Sequence, residues 1–245
     1  MILLIGFIIG IVMGLTGAGG SLVAIPLFMH FLGLSLKEAT LFSLIAVVIA
    51  SFSQYFFQRK NSKVSLALKM TFFSGIGSFL SLPYKKLIPE IGIAILLTVI
   101  SLYSLWSIWR DQKSNLQQRE TDKKLTMTVL IGFSLGLLTT LTGLGGGVLM
   151  LPILLNIYQL EPTKAVATSL LIVGLSSLSS LSLQLIDGEA IKTEMNLPLL
   201  AVAILVTSYL TKMLIQKMKP EKMVLLRKLV FTLIVIMSLL KMFFR

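Results

Sequence analysis

Apolar residues run along this chain in eight stretches, roughly 2–33, 39–57, 64–82, 91–109, 126–158, 165–186, 195–211 and 223–244, parted by short charged segments. A bilayer core takes about 20 apolar residues per helical crossing, so the pattern predicts membrane-spanning helices. The longest polar stretch, RDQKSNLQQRETDKKL from Arg110 to Leu125, divides the chain into residues 1–110 and 126–245, with 111–125 as the linker. The first and fifth stretches stand apart from the rest. Each exceeds 30 residues and is broken near its middle by glycines.

Those two stretches are copies of one another. GFIIGIVMGLTGAGGSLVAIP begins at Gly6, and GFSLGLLTTLTGLGGGVLMLP begins at Gly132. At an offset of 126, Gly6, Phe7, Gly10, Leu15, Thr16, Gly17, Gly19, Gly20 and Pro26 fall on identical residues. The same register carries Leu34, Ala39, Ser43, Leu44, Val47, Ser51 and Ser53 onto Leu160, Ala165, Ser169, Leu170, Val173, Ser177 and Ser179. Leu and Ile recur by chance in lipid-facing helices, whereas matched Gly, Pro, Thr and Ser do not. The chain therefore reads as two repeats, 1–110 and 126–245, forming one membrane domain, a common construction among transporters.

The basic residues indicate how each repeat threads the bilayer. If each glycine-broken stretch crosses once, Lys and Arg divide almost evenly between the two faces. If each is instead a re-entrant hairpin returning to its starting face, one face holds 15 bases and the other 6. Lysine and arginine concentrate in cytoplasmic loops, which favours the second arrangement. Length agrees, since over 30 helical residues would reach about 48 Å at 1.5 Å per residue, against a core of about 30 Å. The expected fold is all-α: two inverted repeats, each a re-entrant helical hairpin plus three transmembrane helices. In that topology the 111–125 linker is cytoplasmic and both termini lie outside.

Composition strengthens this reading. Of the 245 residues 56% are hydrophobic and 13% charged, about half the charge of an ordinary soluble domain. The net charge of +12 would suggest nucleic acid in a soluble protein, but these bases sit in loops and no basic face carries interleaved aromatics. They serve better as orienting residues that touch anionic lipid, so nucleic acid is excluded as a partner. There is no cysteine, hence no disulfide or thiolate chemistry. The apolar start lacks a basic leader and does not read as a cleaved signal peptide.

The candidate chemistry lies at the two glycine interruptions, Thr16-Gly17-Ala18-Gly19-Gly20-Ser21 and Thr142-Gly143-Leu144-Gly145-Gly146-Gly147. Irregular backbone at membrane depth is tolerated only where protein buries it or it lines a wet cavity. The helix starting near Ser21 or Gly147 directs unpaired N–H groups and its positive dipole end at the tip. Two such tips on a pseudo-two-fold axis would bind an anion with no buried cation, and the hydroxyls of Thr16 and Thr142 could add donors. Gly6, Gly10 and Gly14, four apart, read instead as helix-packing residues. No Lys-Ser/Thr pair follows either glycine run and no strand precedes it, so a nucleotide loop is excluded.

The doubled TGxGGxxxxxP, each copy followed about a dozen residues later by Ala-x-x-x-Ser, resembles the TauE/SafE sulfite exporter (TSUP) family of permeases. The second copy, with Ala165-Val166-Ala167-Thr168-Ser169 behind it, fits closely; the first has Ser21 for the third glycine and Phe42 in the place of Thr168. The resemblance implies a multi-pass bacterial inner-membrane exporter of sulfite, sulfonates or related sulfur-containing and organic anions. Carried onto this chain, the site comprises Thr16, Gly17, Gly19, Gly20, Ser21, Ser43, Thr142, Gly143, Gly145, Gly146, Gly147, Thr168 and Ser169.

Ser43 and Ser169, matched and one turn inside their helices, are expected to line the site. The other hydroxyls, among them Ser51, Ser53, Ser176, Ser177 and Ser180, read as partners of the preceding helical turn. Lys69 falls within a stretch and reads as a snorkelling residue more than a ligand. His30 faces Asn156 in the other copy, so a metal or catalytic role is not expected. No Asp or Glu falls inside a stretch, which disfavours cation transport, and no set of residues suits hydrolysis or a metal. The reading is a permease, not an enzyme, without cofactor, carrying a small anion by alternating access through the lipid bilayer. A homodimer is compatible with it. The rivals are a passive anion or solute channel and a non-transporting membrane scaffold.

Overall fold

The glycine interruptions divide the long apolar stretches into pairs of helices. In the computed structural model these are α1 (Ile2–Thr16) with α2 (Gly20–Leu32), and α6 (Leu125–Thr142) with α7 (Gly147–Asn156). Between and after them stand α3 (Leu36–Gln58), α4 (Val64–Leu87), α5 (Glu90–Trp109), α8 (Pro162–Ile186) and α9 (Leu197–Lys217). The structure describes residues 1–16, 20–59, 62–109, 125–188 and 196–217, together with 225–226, 228–230, 232–233 and 236. The linker up to residue 124 lies outside the described residues, as does most of the last apolar stretch.

Among the described residues, five helices are long and apolar enough to cross a membrane: α3, α4, α6, α8 and α9. Local signals set their ends. Ser35 caps α3 in a reciprocal capping box with Glu38, and Pro162 opens α8, where its missing N–H would be unpaired anyway. The apolar pattern predicts that α4 stops near residue 82, but the helix continues through Pro83 to Leu87. Proline removes one intrahelical bond, and so near a helix end it bends the chain more readily than it stops it.

The chain reverses at the second glycine turn. A methyl on Gly146, at the start of α7, would overlap Leu135, eleven positions back in α6, and would lie 3.1 Å from the Thr139 hydroxyl. In a straight helix Leu135 would be about 16 Å away. At the open end of this pair the Thr128 and Tyr158 hydroxyls meet at 2.8 Å, tying the start of α6 to the residue just beyond α7. The first pair doubles back as well, with Met13 against Gly20. Both glycine-broken stretches are helical hairpins, although α6 alone has the length to cross.

Packing exchanges elements between the two halves. α1 lies along α9, with Gly6, Gly10 and Gly14 successively against Ala203, Thr207 and Thr211. In the matched arrangement α6 lies along α4, with Gly132 against the Met70 carbonyl and Gly136 against that of Ser74. Small residues at these crossings let two backbones touch, and that close fit drives helix association in lipid. α3 and α8 form the centre. The Lys63 amide, just past α3, donates to Thr168 early in α8 at 3.0 Å, while Ser51 and Phe52 meet Gly174 further along. The two helices are therefore antiparallel.

Polarity is arranged inside out. Ser43, Ser51, Gln54, Thr139, Thr140, Ser176, Ser177, Ser180 and Gln184 are buried, whereas Leu68, Phe72, Phe79, Ile91, Ile95, Leu130 and Leu205 are exposed on the outer surface. Water would penalise such a surface, and lipid accommodates it. The bundle is built for a bilayer.

Candidate functional site

Three glycines make the second tip. Gly143, Gly145 and Gly146 have φ of 69°, 62° and 66°, a left-handed series that side chains resist. Thr142 shapes the same turn: its hydroxyl donates to the Leu138 carbonyl at 2.6 Å and accepts from the Leu144 amide at 3.3 Å. The first bond along α7 runs from the Met150 amide to the Gly146 carbonyl, so Gly147, Val148 and Leu149 begin the helix without an intrahelical acceptor.

α3 and α8 grip this tip from two sides. Ser43 of α3 donates to the Gly143 carbonyl and to that of Thr40, both at 2.7 Å. Ser176 of α8 donates to the Gly145 carbonyl at 3.4 Å. A methyl on Gly145 would collide with the Ser177 hydroxyl and stand 2.9 Å from Val47. Ser176 and Ser177 are the fifteenth and sixteenth of the 25 residues of α8, which puts the tip near mid-depth along that helix.

The first tip meets the second there. Ser21, in the first turn of α2, donates its hydroxyl to the Leu144 carbonyl, and Gly20 is buried beside it. Gly17 and Gly19 lie outside the described residues, and of Thr16 only the helical backbone is described. Ser169 donates to the Val166 carbonyl at 2.9 Å, and Thr168 accepts from the Lys63 amide. Residues 17–19, which the repeat register sets opposite Ser169, are outside those described. The structure thus brings Gly20, Ser21, Ser43, Thr142, Gly143, Gly145, Gly146 and Gly147 together, and spends the hydroxyls of Ser21, Ser43 and Thr142 on backbone carbonyls.

A buried lysine, which the sequence reading did not anticipate, lies toward the end of α8, about two helical turns from the tip. Lys85, 4% exposed, donates to the Gln184 side-chain carbonyl at 2.6 Å. Gln184 in turn donates to Ser180 at 2.9 Å, and Ser180 pairs with Thr140 at 3.0 Å. A polar row therefore runs from the end of α4 through α8 to α6, two residues short of Thr142. Pro83 hid Lys85 by suggesting a loop; the pairing of an apolar stretch with a lysine two residues past its proline was the available signal. Lys69 and His30 are exposed, and His30 lies edge-on to Phe31 at 5.1 Å.

An apolar exterior, a serine- and threonine-rich interior and two broken hairpins meeting at mid-depth describe a polytopic helical membrane protein of the transporter class. Sequence comparison makes the assignment specific: the model of the family described as Sulfite exporter TauE/SafE matches residues 2–241, and the chain belongs to that family. It is 26% identical over 215 residues to the probable membrane transporter protein YunE of Bacillus subtilis, covering 77% of this chain and 79% of that protein. Over 194 residues it is 27% identical to the probable membrane transporter protein MJ0441 of Methanocaldococcus jannaschii, covering 74% and 70%. No solved structure matches it.

Proposed function

We propose that this membrane transporter exports small anions, sulfite, sulfonates or related sulfur-containing and organic anions, by alternating access at the paired glycine tips. The observation that carries the reading is the contact of Ser21 with the Leu144 carbonyl, which joins two helix starts in the buried middle of the bundle. Helix N-termini favour negative charge and supply amide donors, while no carboxylate among the described residues intrudes on the tips. The family description points to the same substrates. Antiparallel packing of α3 against its sequence match α8 supports inverted repeats, 1–110 and 126–245. The return of α6–α7 to its starting end supports re-entrant hairpins, and the distribution of Lys and Arg supports a cytoplasmic 111–125 in a bacterial inner membrane.

The test is thermal stability of detergent-purified protein against sulfite, sulfate, thiosulfate, taurine, sulfoacetate and simple carboxylates. A ligand bound only by the folded state stabilises it by about 2.7 kcal/mol at a hundred times its dissociation constant. A selective rise for one class of anion is the expected result. Well-folded protein that no anion stabilises would exclude a binding site at the tips.

A further inference from the structure

We propose that the hydroxyls of Ser51 and Ser177, one from each repeat, are the side-chain donors that hold the transported oxyanion where α3 crosses α8. This assignment rests on the anion-transport reading above and names the donors of that site. In a bundle surrounded by lipid, a buried polar atom without a partner is costly, and each calls for an explanation such as an absent ligand or water. The buried side-chain atoms without a hydrogen-bond partner among the described residues are Ser51 Oγ, Gln54 Oε1, Thr71 Oγ1, Ser74 Oγ, Thr139 Oγ1 and Ser177 Oγ, of which Ser51 and Ser177 stand where α3 crosses α8.

Ser177 and Thr139 share the second tip, and Ser51 lies across the α3–α8 crossing, a helical turn from Ser177. Ser177 lies against Gly145 and Thr139 against Gly146, so both hydroxyls face the second tip. Ser51 touches Gly174, one helical turn before Ser177, whereas Gln54 lies a turn further along α3 against α1, its amide donating to the Gly10 carbonyl at 3.5 Å. Ser51 and Ser177 also occupy the same position in the two copies, both with no exposed surface. The hydroxyls first expected to serve the site, on Ser43 and Ser169, already donate to carbonyls; Ser51 and Ser177 keep their protons available. The start of α7 adds positive dipole beside Ser177. Neutral donors with a helix start suit a small oxyanion that must be released again.

Alanine at either position separates a ligand role from a structural one. A hydroxyl with no protein partner contributes nothing to the empty fold, so Ser51→Ala and Ser177→Ala are expected to melt at or above the wild-type temperature. In titrations of sodium sulfite, sodium sulfate and sodium methanesulfonate followed by thermal shift, each variant is expected to lose roughly tenfold or more in apparent affinity. Because the chain has no cysteine, Ser177→Cys provides a single thiol. The negatively charged reagent sulfonatoethyl methanethiosulfonate is expected to modify it, and the anion that stabilises the wild type is expected to protect it. Alanine variants that melt several degrees lower would make these hydroxyls structural and overturn the proposal. Unchanged affinity in the variants beside a clear wild-type shift, or a thiol that never reacts, would overturn it while leaving anion binding intact. A wild type that no anion shifts would remove the anion reading and this assignment with it.

Discussion

The Ser21 hydroxyl donates to the Leu144 carbonyl across 123 positions of sequence. Each residue sits in a glycine interruption of its own repeat, so one bond fastens the tips of two hairpins to each other. Around it, Ser43 and Ser176 hold the Gly143 and Gly145 carbonyls from α3 and α8. The tips are thus held from the two central helices. The proposed alternating access would need such a shared centre while the surrounding repeats rock.

Gly143 is expected to tolerate no side chain. Its φ is 69°, and an added methyl would stand 2.5 Å from Thr40 Cβ and 2.8 Å from the Thr40 carbonyl oxygen. Gly143→Ala should cost about 2–5 kcal/mol from left-handed strain and overpacking together, read as a fall in melting temperature. A leucine here would therefore damage the fold before it tested transport, which is why the serine variants are the sharper probes.

Two glycines on α4 should respond in opposite senses. A methyl on Gly77 would overlap the Phe133 carbonyl of α6, whereas one on Gly75 meets nothing within 4 Å. Gly75→Ala should stabilise by about 0.5–1 kcal/mol through helix propensity, and Gly77→Ala should destabilise by at least about 1–3 kcal/mol. Equal effects in thermal melts would contradict the close α4–α6 crossing.

The α6–α7 hairpin predicts one-sided labelling. Thr126 and Gln159 are both exposed at its open end. In the cysteine-free chain, Thr126→Cys and Gln159→Cys should react with an impermeant thiol reagent from the same face of the membrane; labelling from opposite faces would mean a single crossing. Tyr158→Phe should loosen this end by about 1 kcal/mol by removing the bond to Thr128. Burial raises the Tyr158 phenol above its ordinary 10.0, and the Thr128 bond pulls it partly back. The folded state thus holds the proton more tightly than the unfolded chain, so this group leaves stability flat from pH 6 to 9. Its contribution declines only as pH rises through 10.0 toward the folded value.

The Lys85–Gln184 contact should behave as a coupled pair. Gln184→Leu removes an acceptor from a buried ammonium and leaves Ser180 with one partner fewer, at a cost of about 1–3 kcal/mol. Lys85→Met in the same chain should recover part of that loss, because the buried amine that Gln184 accepted from is then gone. Strictly additive losses in a double-mutant cycle would show that the two side chains do not interact.

Much of this architecture was legible in the chain. The apolar stretches and their glycine breaks foretold the paired helices α1, α2, α6 and α7, because the positive φ at 143, 145 and 146 favours glycine at each. The doubled TGxGG marked the tips that the fold then brings into contact. Lys85 was hidden because proline reads as a stop although α4 continues through it. The exchange of α1 onto α9 and α6 onto α4 was hidden too, since likeness between two copies does not say which of them supplies a neighbour. Nor does spacing tell a hydroxyl that serves its own helix, such as Ser169, from one left with its proton free, such as Ser177; that depends on the atoms opposite.

The most direct measurement is uptake and counterflow of labelled sulfite in liposomes containing the purified chain, compared with Ser51→Ala and Ser177→Ala at matched reconstitution. Saturable flux that an unlabelled anion trans-stimulates, lost in both variants while the fold persists, is the predicted result. No flux of sulfite, sulfonate or carboxylate above empty liposomes, or a non-saturating current insensitive to both substitutions, would contradict an alternating-access anion transporter centred on these tips.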